Sequence, residues 1–302
     1  MCKARQPTMP VMLETFEPFD LVHNGVRLHG RRGGQGEPVL LLHGHPQTHA
    51  MWHLVAPLLA RHFSVVMMDL RGYGDSGRPA GSAAHGNYTK RVMAQDAMAV
   101  MAHHGNPQFR VLAHDRGARV AHRLAADHAG AVQQLMLLDI APTLAMYENT
   151  GQEFARAYWH WFFLIQPPPL PEALIESHPV RYLRSVMGKR HAGLAAFAPE
   201  ALAEYERCVQ IAGSAQSICE DYRASAGPDL DHDRADRAAG LQLPMPVRVL
   251  WGAHGAVGKC FDVMALWRAC AANATGRELQ CGHYIAEETP DLLAADALSF
   301  FG

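Results

Sequence analysis

The chain has 302 residues, which is enough for one large α/β domain with an insertion. Of these residues 49% are apolar and 19% are charged, a composition typical of a globular enzyme and unlike that of a disordered or fibrous protein. The formal net charge is −2 and no block of lysine or arginine occurs, so nothing indicates a nucleic acid or an anionic membrane as a partner.

The first half of the chain alternates strand and helix patterns. A hairpin is predicted first, because Asn24-Gly25 joins strand patterns at 19–26 and 27–32. Further predictions are strands at 38–42, 64–69, into Asp115 and at 134–139, and helices at 51–61, 90–104 and 116–128. Such alternation implies βα crossovers, and we therefore expect an α/β fold with a doubly wound, mostly parallel sheet.

The alternation stops after Ile140. From there to about residue 223 no strand pattern occurs, only helical stretches divided by prolines, which indicates an inserted helical cap. A charged connection at 229–243 leads back to predicted strands at 247–252 and 277–280 and helices at 261–273 and 290–301. The predicted domains are a core in two parts, 1–140 and 226–302, with a cap at 141–225.

Targeting signals and reactive clusters are not evident. The first thirty residues carry Glu14, Glu17 and Asp20 without an apolar stretch, so we expect no signal peptide, and no apolar run approaches the ~18 residues of a membrane span. Most of the nineteen histidines lie in no ligand-spaced cluster, and we expect no metal site. Reduced thiols in a cytoplasmic protein are expected for the cysteines, which lack CxxC spacing: Cys2, Cys208, Cys219, Cys260, Cys270 and Cys281.

The stretch from Val111 to Arg119 has the pattern of a nucleophile elbow. An apolar strand pattern ends at Ala113, Asp115 follows between Ala113 and Gly117, and a helical pattern begins at Arg116. The alternative is an ordinary helix N-cap, for which aspartate is also favoured. A carboxylate nucleophile suits displacement at a saturated carbon, because it forms an ester that water can cleave, whereas serine would form a stable ether.

Several motifs together resemble the α/β-hydrolase superfamily over nearly the whole chain. His43-Gly44-His45-Pro46, the turn from Asp69 to Ser76 and the aspartate at the elbow are similar to the branch of epoxide hydrolases and haloalkane dehalogenases. A narrower resemblance comes from Asp115-Arg116-x-x-Arg119 together with three residues of the cap. With His160-Trp161 and Tyr222, this constellation resembles the fluoroacetate dehalogenases.

The resemblance implies a catalytic triad. Asp115 would be the nucleophile and His283, after the last strand, the base that activates water. The loop 252–258 contains no carboxylate, so Asp139 at the end of an earlier strand is expected to orient His283. The backbone N–H groups of Arg116 and His45 would form the oxyanion hole, and histidine at position 45 departs from the bulky apolar residue expected there.

The resemblance also implies where the substrate binds. Arg116 and Arg119 would hold a carboxylate; the alternative is surface charge, although cations near a helix N-terminus are mildly unfavourable. His160, Trp161 and Tyr222 would stabilise the departing halide, the alternative being ordinary aromatic packing in the cap. Tyr205 competes with Tyr222 for this role.

The predicted function is cofactor-free hydrolysis of short 2-haloacids, with fluoroacetate giving glycolate and fluoride. Three alternatives remain: an epoxide hydrolase, which needs two cap tyrosines as ring-opening acids; a haloalkane dehalogenase; and a non-catalytic ligand receptor of the same fold. A small haloacid is the expected partner, without nucleic acid or membrane. The family further suggests a cytoplasmic homodimer.

Overall fold

A computed structural model describes residues 12–302, and Cys2 and the first residues of the chain lie outside this range. One eight-stranded sheet forms the centre of the molecule. Its strands are β1 Glu17–His23, β2 Val26–Gly33, β3 Pro38–Leu42, β4 Ser64–Met68, β5 Phe109–His114, β6 Val132–Leu138, β7 Val247–Gly252 and β8 Ala274–Leu279.

The strands follow the order β1-β2-β4-β3-β5-β6-β7-β8. The pairs β1–β2 and β2–β4 are antiparallel, and every pair from β4 to β8 is parallel. This confirms the predicted doubly wound sheet. The strand order reverses between β3 and β5, and in open α/β sheets ligands bind outside the carboxyl ends of the strands at such a switch point. The loops that follow β3 and β5 are therefore the first place to look for a site.

The predicted turn of the amino-terminal hairpin is confirmed. Asn24 and Gly25 both have positive φ, 49° and 76°, as a two-residue turn matched to the strand twist requires. The central strands are buried on both faces, as their continuous apolar runs predict: the last four residues of both β3 and β4 are buried.

Fifteen α-helices surround the sheet within the described residues. Those of the first and last parts of the chain are α1 Ala56–Leu59, α2 Lys90–His103, α3 Asp115–Asp127, α12 Ala256–Cys260, α13 Val263–Arg268, α14 Ile285–Glu288 and α15 Pro290–Phe301. Those between β6 and β7 are α4 Thr143–Glu148, α5 Gln152–Ala157, α6 Trp159–Leu164, α7 Leu170–Ser177, α8 Pro179–Met187, α9 Pro199–Val209, α10 Ser214–Ala226 and α11 Pro228–Ala238. No helix among residues 12–302 is long and apolar enough to cross a membrane.

Two predicted helices are shorter than expected. The pattern at 51–61 forms a 3₁₀ turn, His49–Trp52, and then only α1, because Pro57 in the first turn of α1 lacks the N–H that a continuous helix would need. The pattern at 261–273 forms only α13, where the side chain of Asp262 accepts a hydrogen bond from Ala265 N and fixes the start of the helix.

The segment between β6 and β7 is helical, and no strand occurs among its described residues. Its charged connection is itself the helix α11, so helical structure continues past residue 225. The division into core and cap at residues 141 and 225 stays a prediction. We refer below to α4–α11 as the cap helices.

Candidate active site

Asp115 lies on a sharp turn between β5 and α3. Its φ is 46°, a left-handed conformation that is uncommon for a residue other than glycine and that occurs often at functional sites. The loop after β3 packs closely against this turn. A Cβ on Gly44 would lie 2.6 Å from Asp115 Cβ, and one on Gly117 would lie 2.4 Å from His43 O, so both positions require glycine.

The loop after β3 also supplies a backbone donor to the carboxylate. His45 N donates a hydrogen bond of 2.9 Å to Asp115 Oδ1. The same N–H is therefore placed to stabilise negative charge that develops on an Asp115 oxygen. The other predicted donor, Arg116 N, belongs to the first turn of α3, where backbone N–H groups lack helical partners.

His283 and Asp139 are in direct contact. His283 Nδ1 lies 2.5 Å from Asp139 Oδ2, and Asp139 Oδ1 accepts a 3.0 Å hydrogen bond from Gly252 N. The last residue of β7 thus contributes a backbone donor to this pair. A second imidazole packs beside it, because His114 Nε2 donates to His283 O at 2.8 Å.

Electrostatics favour the ionised form of Asp115. Burial opposes its ionisation, but electrostatic interactions with His283, His114, Arg119 and Arg116 hold its pKa below the usual range.

Two imidazoles in this pocket, those of His45 and His160, are neutral. Burial lowers the pKa of His45 to about 3, and burial followed by the charge of Arg190 lowers the pKa of His160. The pocket therefore combines a charged carboxylate with uncharged nitrogen donors.

Arg116 is fully buried and is largely satisfied by the cap helix α10. Its Nε and Nη2 donate to the two carboxylate oxygens of Asp221 at 2.8 and 2.9 Å, and Nη2 also donates to Ser225 Oγ at 2.6 Å. Nη1 has no partner among the described residues. The bidentate fork is thus occupied by Asp221, and a substrate can take only Nη1.

Asp221 joins Arg116 to a second buried cation. Lys90 Nζ contacts Asp221 Oδ1, and Tyr73 OH donates to Asp221 Oδ2 at 2.7 Å. Burial would raise the pKa of Asp221, but the charges of Arg116 and Lys90 lower it, so the carboxylate is ionised. The glycine-rich turn around Tyr73, interpreted from sequence as structural, therefore also helps to hold Asp221.

Arg119 is buried with neutral partners only. Nη1 donates to Thr143 Oγ1 at 2.8 Å and to Ala141 O at 3.3 Å, Nη2 contacts Met146 Sδ at 3.2 Å, and Nε has no partner within residues 12–302. A buried cation without a counter-ion is costly, so an anionic ligand beside Arg119 would be stabilised.

The predicted halide-binding residues lie close together, next to these arginines. The ring centroids of His160 and Tyr222 are 5.9 Å apart and those of Trp161 and Tyr222 are 6.4 Å apart. The Arg116 guanidinium lies 4.1 Å from the ring centroid of Tyr222, and that of Arg119 lies 4.6 Å from the ring centroid of Trp161. Trp161 Nε1 and the Tyr222 hydroxyl are buried and find no partner in the part of the chain that the structure describes.

Tyr205, the competitor of Tyr222, is engaged elsewhere. Its hydroxyl donates to Glu287 Oε1 at 2.5 Å.

A cavity of about 220 Å³ reaches the base. Its walls include His160, His283 and Arg190. Asp115, Arg116 and Arg119 are not among its lining residues, so the cavity borders His283 and does not enclose the carboxylate of Asp115.

One group of side chains among residues 12–302 has the spacing of a metal site: His29, His49 and Asp69. The oxygens of Asp69 already have partners, since Oδ1 accepts from His49 N at 2.8 Å and Oδ2 accepts from Asp75 N at 2.9 Å. This group therefore joins the loop after β3 to the glycine-rich turn by hydrogen bonds.

Sequence reasoning missed three residues of the site. Asp221 precedes Tyr222 directly, and the need of a buried arginine for a counter-ion could have drawn attention to it. Tyr182, whose hydroxyl lies 3.1 Å from His45 Nε2, and Arg190 carry no local sequence signal.

Comparisons with known proteins identify the family of the chain. A family model described as the alpha/beta hydrolase fold matches residues 37–290. The chain belongs to the α/β-hydrolase family. A fluoroacetate dehalogenase from Burkholderia sp is 39% identical over 281 residues, covering 93% of this chain and 92% of the relative.

Two further relatives cover nearly the whole α/β hydrolase. A soluble epoxide hydrolase from Corynebacterium sp. (strain C12) is 34% identical over 285 residues, 92% of this chain and 94% of the relative. The crystal structure of a candidate α/β hydrolase from Nostoc sp PCC 7120 is 52% identical, with a TM-score of 0.91 over 95% of this chain and 98% of that chain. These relatives support a hydrolase but include more than one substrate class.

Proposed function

We propose that this α/β hydrolase cleaves the carbon–halogen bond of short 2-haloacids, with fluoroacetate as the best candidate. One observation carries the proposal: two buried arginines beside the nucleophile each keep an N–H without a partner among the described residues, Arg116 Nη1 and Arg119 Nε. A carboxylate has two oxygens to receive them and supplies the direct ion pair that Arg119 lacks among the described residues. A neutral substrate would leave Arg119 only its electrostatic interaction with Asp115, and that negative charge is lost when the ester forms.

The first chemical step is displacement. An ionised oxygen of Asp115 attacks the α-carbon, the carbon–halogen bond breaks with its electron pair going to the halide, and the configuration of the carbon inverts. Trp161 Nε1 and the Tyr222 hydroxyl are the buried, unpartnered donors available to the departing halide. Neutral His160 can donate a further N–H without adding charge.

The second step is hydrolysis of the Asp115 ester. His283 takes a proton from water as the oxygen attacks the ester carbonyl, and Asp139 stabilises the resulting imidazolium. His45 N, which contacts Asp115 Oδ1 in the resting enzyme, is placed to stabilise the oxyanion. Collapse of the intermediate breaks the bond to the glycolate oxygen, which takes the proton from His283, and the carboxylate of Asp115 is restored with loss of one proton to solvent.

The 39% identical fluoroacetate dehalogenase supports this proposal, and the 34% identical epoxide hydrolase keeps a second candidate open. One observation favours the epoxide hydrolase. The hydroxyls of Tyr222 in α10 and of Tyr158 between α5 and α6 are both buried and have no partner among the described residues. Two such phenols could open an epoxide. The arginine pair would then have no role in binding a neutral ring, which is why we favour the haloacid. A haloalkane dehalogenase also acts on a neutral substrate, so the arginine pair would have no role in binding that substrate either.

The test is halide release from fluoroacetate and chloroacetate, with glycolate quantified, beside turnover of styrene oxide at equal concentration. We expect stoichiometric halide and glycolate, and little diol. His283→Asn should stop the second step and leave Asp115 heavier by one carboxymethyl group in the mass spectrum. Styrene oxide turnover without halide release from either acid would replace the proposal by the epoxide hydrolase.

The homodimer, the cytoplasmic location and the limits of the cap at 141–225 remain predictions. They do not enter the mechanism.

A further inference from the structure

The cavity that reaches His283 also contacts the protein surface. Its walls combine exposed side chains with the buried His160 and His283. It therefore connects solvent to the catalytic base, and we call it the entry channel. The charged and catalytic residues that line it are Glu153, His160, Lys189, Arg190, Lys259 and His283.

The entry channel is positively charged. Its walls carry three side chains with a permanent positive charge, Lys189, Arg190 and Lys259, against one carboxylate, Glu153. Lys189 and Lys259 are exposed, whereas Arg190 is half-buried further inside. Charges that line a cleft with low-dielectric walls act over longer distances than charges on an open surface.

Arg190 differs from the arginines that serve the fold. Its guanidinium lies 4.4 Å from the ring centroid of Tyr158, and it forms no ion pair with a carboxylate within residues 12–302. Burial acts to lower the pKa of Arg190, but Tyr158, Tyr284 and Asp115 raise it, so the group stays charged. A cation without a direct ion pair among the described residues thus faces the cavity that leads to His283.

We propose that Arg190 determines specificity for anions by attracting the substrate carboxylate into the entry channel. The inference rests on the proposed function for the identity of the anion, a short haloacid. Arg116 and Arg119 would then receive the carboxylate at the nucleophile, after Arg190 has raised its local concentration. Arg190 is a binding residue in this scheme and takes no part in bond making.

The kinetic signature follows from the charge balance of the first step. Substrate and Asp115 carry two negative charges before displacement, and the halide and the ester carboxylate carry two negative charges after it. Arg190 therefore attracts the ground state and the transition state to a similar extent, which affects KM and leaves kcat nearly constant. Salt should weaken the effect, because the channel is open to solvent.

The experiment compares Arg190→Gln with Arg190→Lys, which keeps the charge. At low ionic strength we expect Arg190→Gln to raise KM for fluoroacetate roughly 3- to 10-fold, with kcat changed less than about twofold. Added salt should reduce the difference in KM between Arg190→Gln and the wild type. Arg190→Lys should recover most of the lost affinity. If the guanidinium served only to pack on Tyr158, the KM of Arg190→Lys would be as high as that of Arg190→Gln.

The matched control is Arg61→Gln. Arg61 is exposed and precedes β4, so it lies at the amino ends of the parallel strands, opposite the carboxyl ends where Asp115 lies. The substitution removes the same charge. We expect its KM to equal that of the wild type. An equal rise of KM in Arg61→Gln and Arg190→Gln, or no rise in the latter, would overturn the inference.

Binding of acetate provides a readout without turnover. Acetate should quench the fluorescence of Trp159, which lines the cavity, with a dissociation constant that rises in Arg190→Gln, and acetamide should show no such difference. Absence of halide release in the wild type would refute the proposed function, while the acetate titration would still test Arg190. An unchanged acetate affinity in Arg190→Gln would refute the inference alone.

Discussion

Asp115 and Glu287 are both buried carboxyl groups, with exposed fractions of 3% and 6%, yet their surroundings have opposite effects. Around Asp115, electrostatic interactions with His283, His114, Arg119 and Arg116 outweigh burial and keep its pKa low. Around Glu287 burial prevails and raises the pKa to about 8, because its hydrogen-bond partners, Tyr205 and Gln47, are neutral.

The difference shows that the charge of a buried carboxyl group is set by its neighbours. Burial disfavours the ionised form at both positions. Cations beside Asp115 reverse that effect, and an ionised carboxylate is what a nucleophile requires. Protonated Glu287 instead joins α14 to α9 through Tyr205, and to the loop after β3 through Gln47. The first pocket is organised for chemistry and the second for packing of the cap helices.

The largest expected effect comes from removing the charge of Asp115. Asp115→Asn keeps the shape of the side chain but has no nucleophilic oxygen anion, so we expect halide release to fall by about 10⁴-fold or more. The control is Glu287→Gln, the same chemical change in the neutral pocket, which should keep its activity within a few-fold. A rate of Asp115→Asn within tenfold of the wild type would remove Asp115 from the mechanism.

An intermediate effect is expected at Asp221, the counter-ion of Arg116. Asp221→Asn leaves Arg116 and Lys90 buried with less compensation, and breaking a buried pair typically costs about 3–5 kcal/mol in the free energy of unfolding. Arg116 should also turn away from the nucleophile, which raises KM for fluoroacetate. Urea unfolding and steady-state kinetics measure the two effects.

The control for Asp221 is an exposed ion pair. Asp20 contacts Arg27 at 2.8 Å with about half of each side chain exposed, 49% and 52%, so Asp20→Asn should change the free energy of unfolding by less than about 1 kcal/mol. Equal destabilisation by Asp221→Asn and Asp20→Asn would mean that the buried Arg116–Asp221 pair contributes no more to stability than an exposed ion pair.

The features encoded by local patterns were predictable. Apolar runs bounded by turn residues predict β3 and β7 with the bounds that the structure has, and the small residues around Asp115 predict the turn between β5 and α3. His283 and Asp139 each follow a strand of a parallel sheet, so the carboxyl ends of β8 and β6 bring them to one edge.

The features that depend on the cap were not predictable. Asp221 meets Arg116 across 105 positions of sequence, and only the packing of α10 on α3 makes them partners. Arg190 follows α8 and reaches the entry channel for the same reason. Neither the sequence spacing nor the residue type carries that information, because exposed arginine and aspartate have the same local patterns.

The smallest expected effect is a change in the pH dependence of stability at Glu287. A glutamate ordinarily has a pKa of 4.5, and the pKa of Glu287 in the folded protein is about 8, so between these values the folded state holds one more proton than the unfolded state. The free energy of unfolding must therefore fall as pH rises through this range. Glu287→Gln cannot titrate, and its amide oxygen can still accept from Tyr205 and Gln47. We expect the free energy of unfolding of Glu287→Gln, measured with urea, to change less between pH 5.5 and 8 than that of the wild type.

The control is Glu278→Gln at an exposed position of β8, which should leave the pH dependence of the free energy of unfolding unaltered. If the free energies of unfolding of the wild type and of Glu287→Gln differed by the same amount throughout this pH range, Glu287 would be ionised, as Asp115 is.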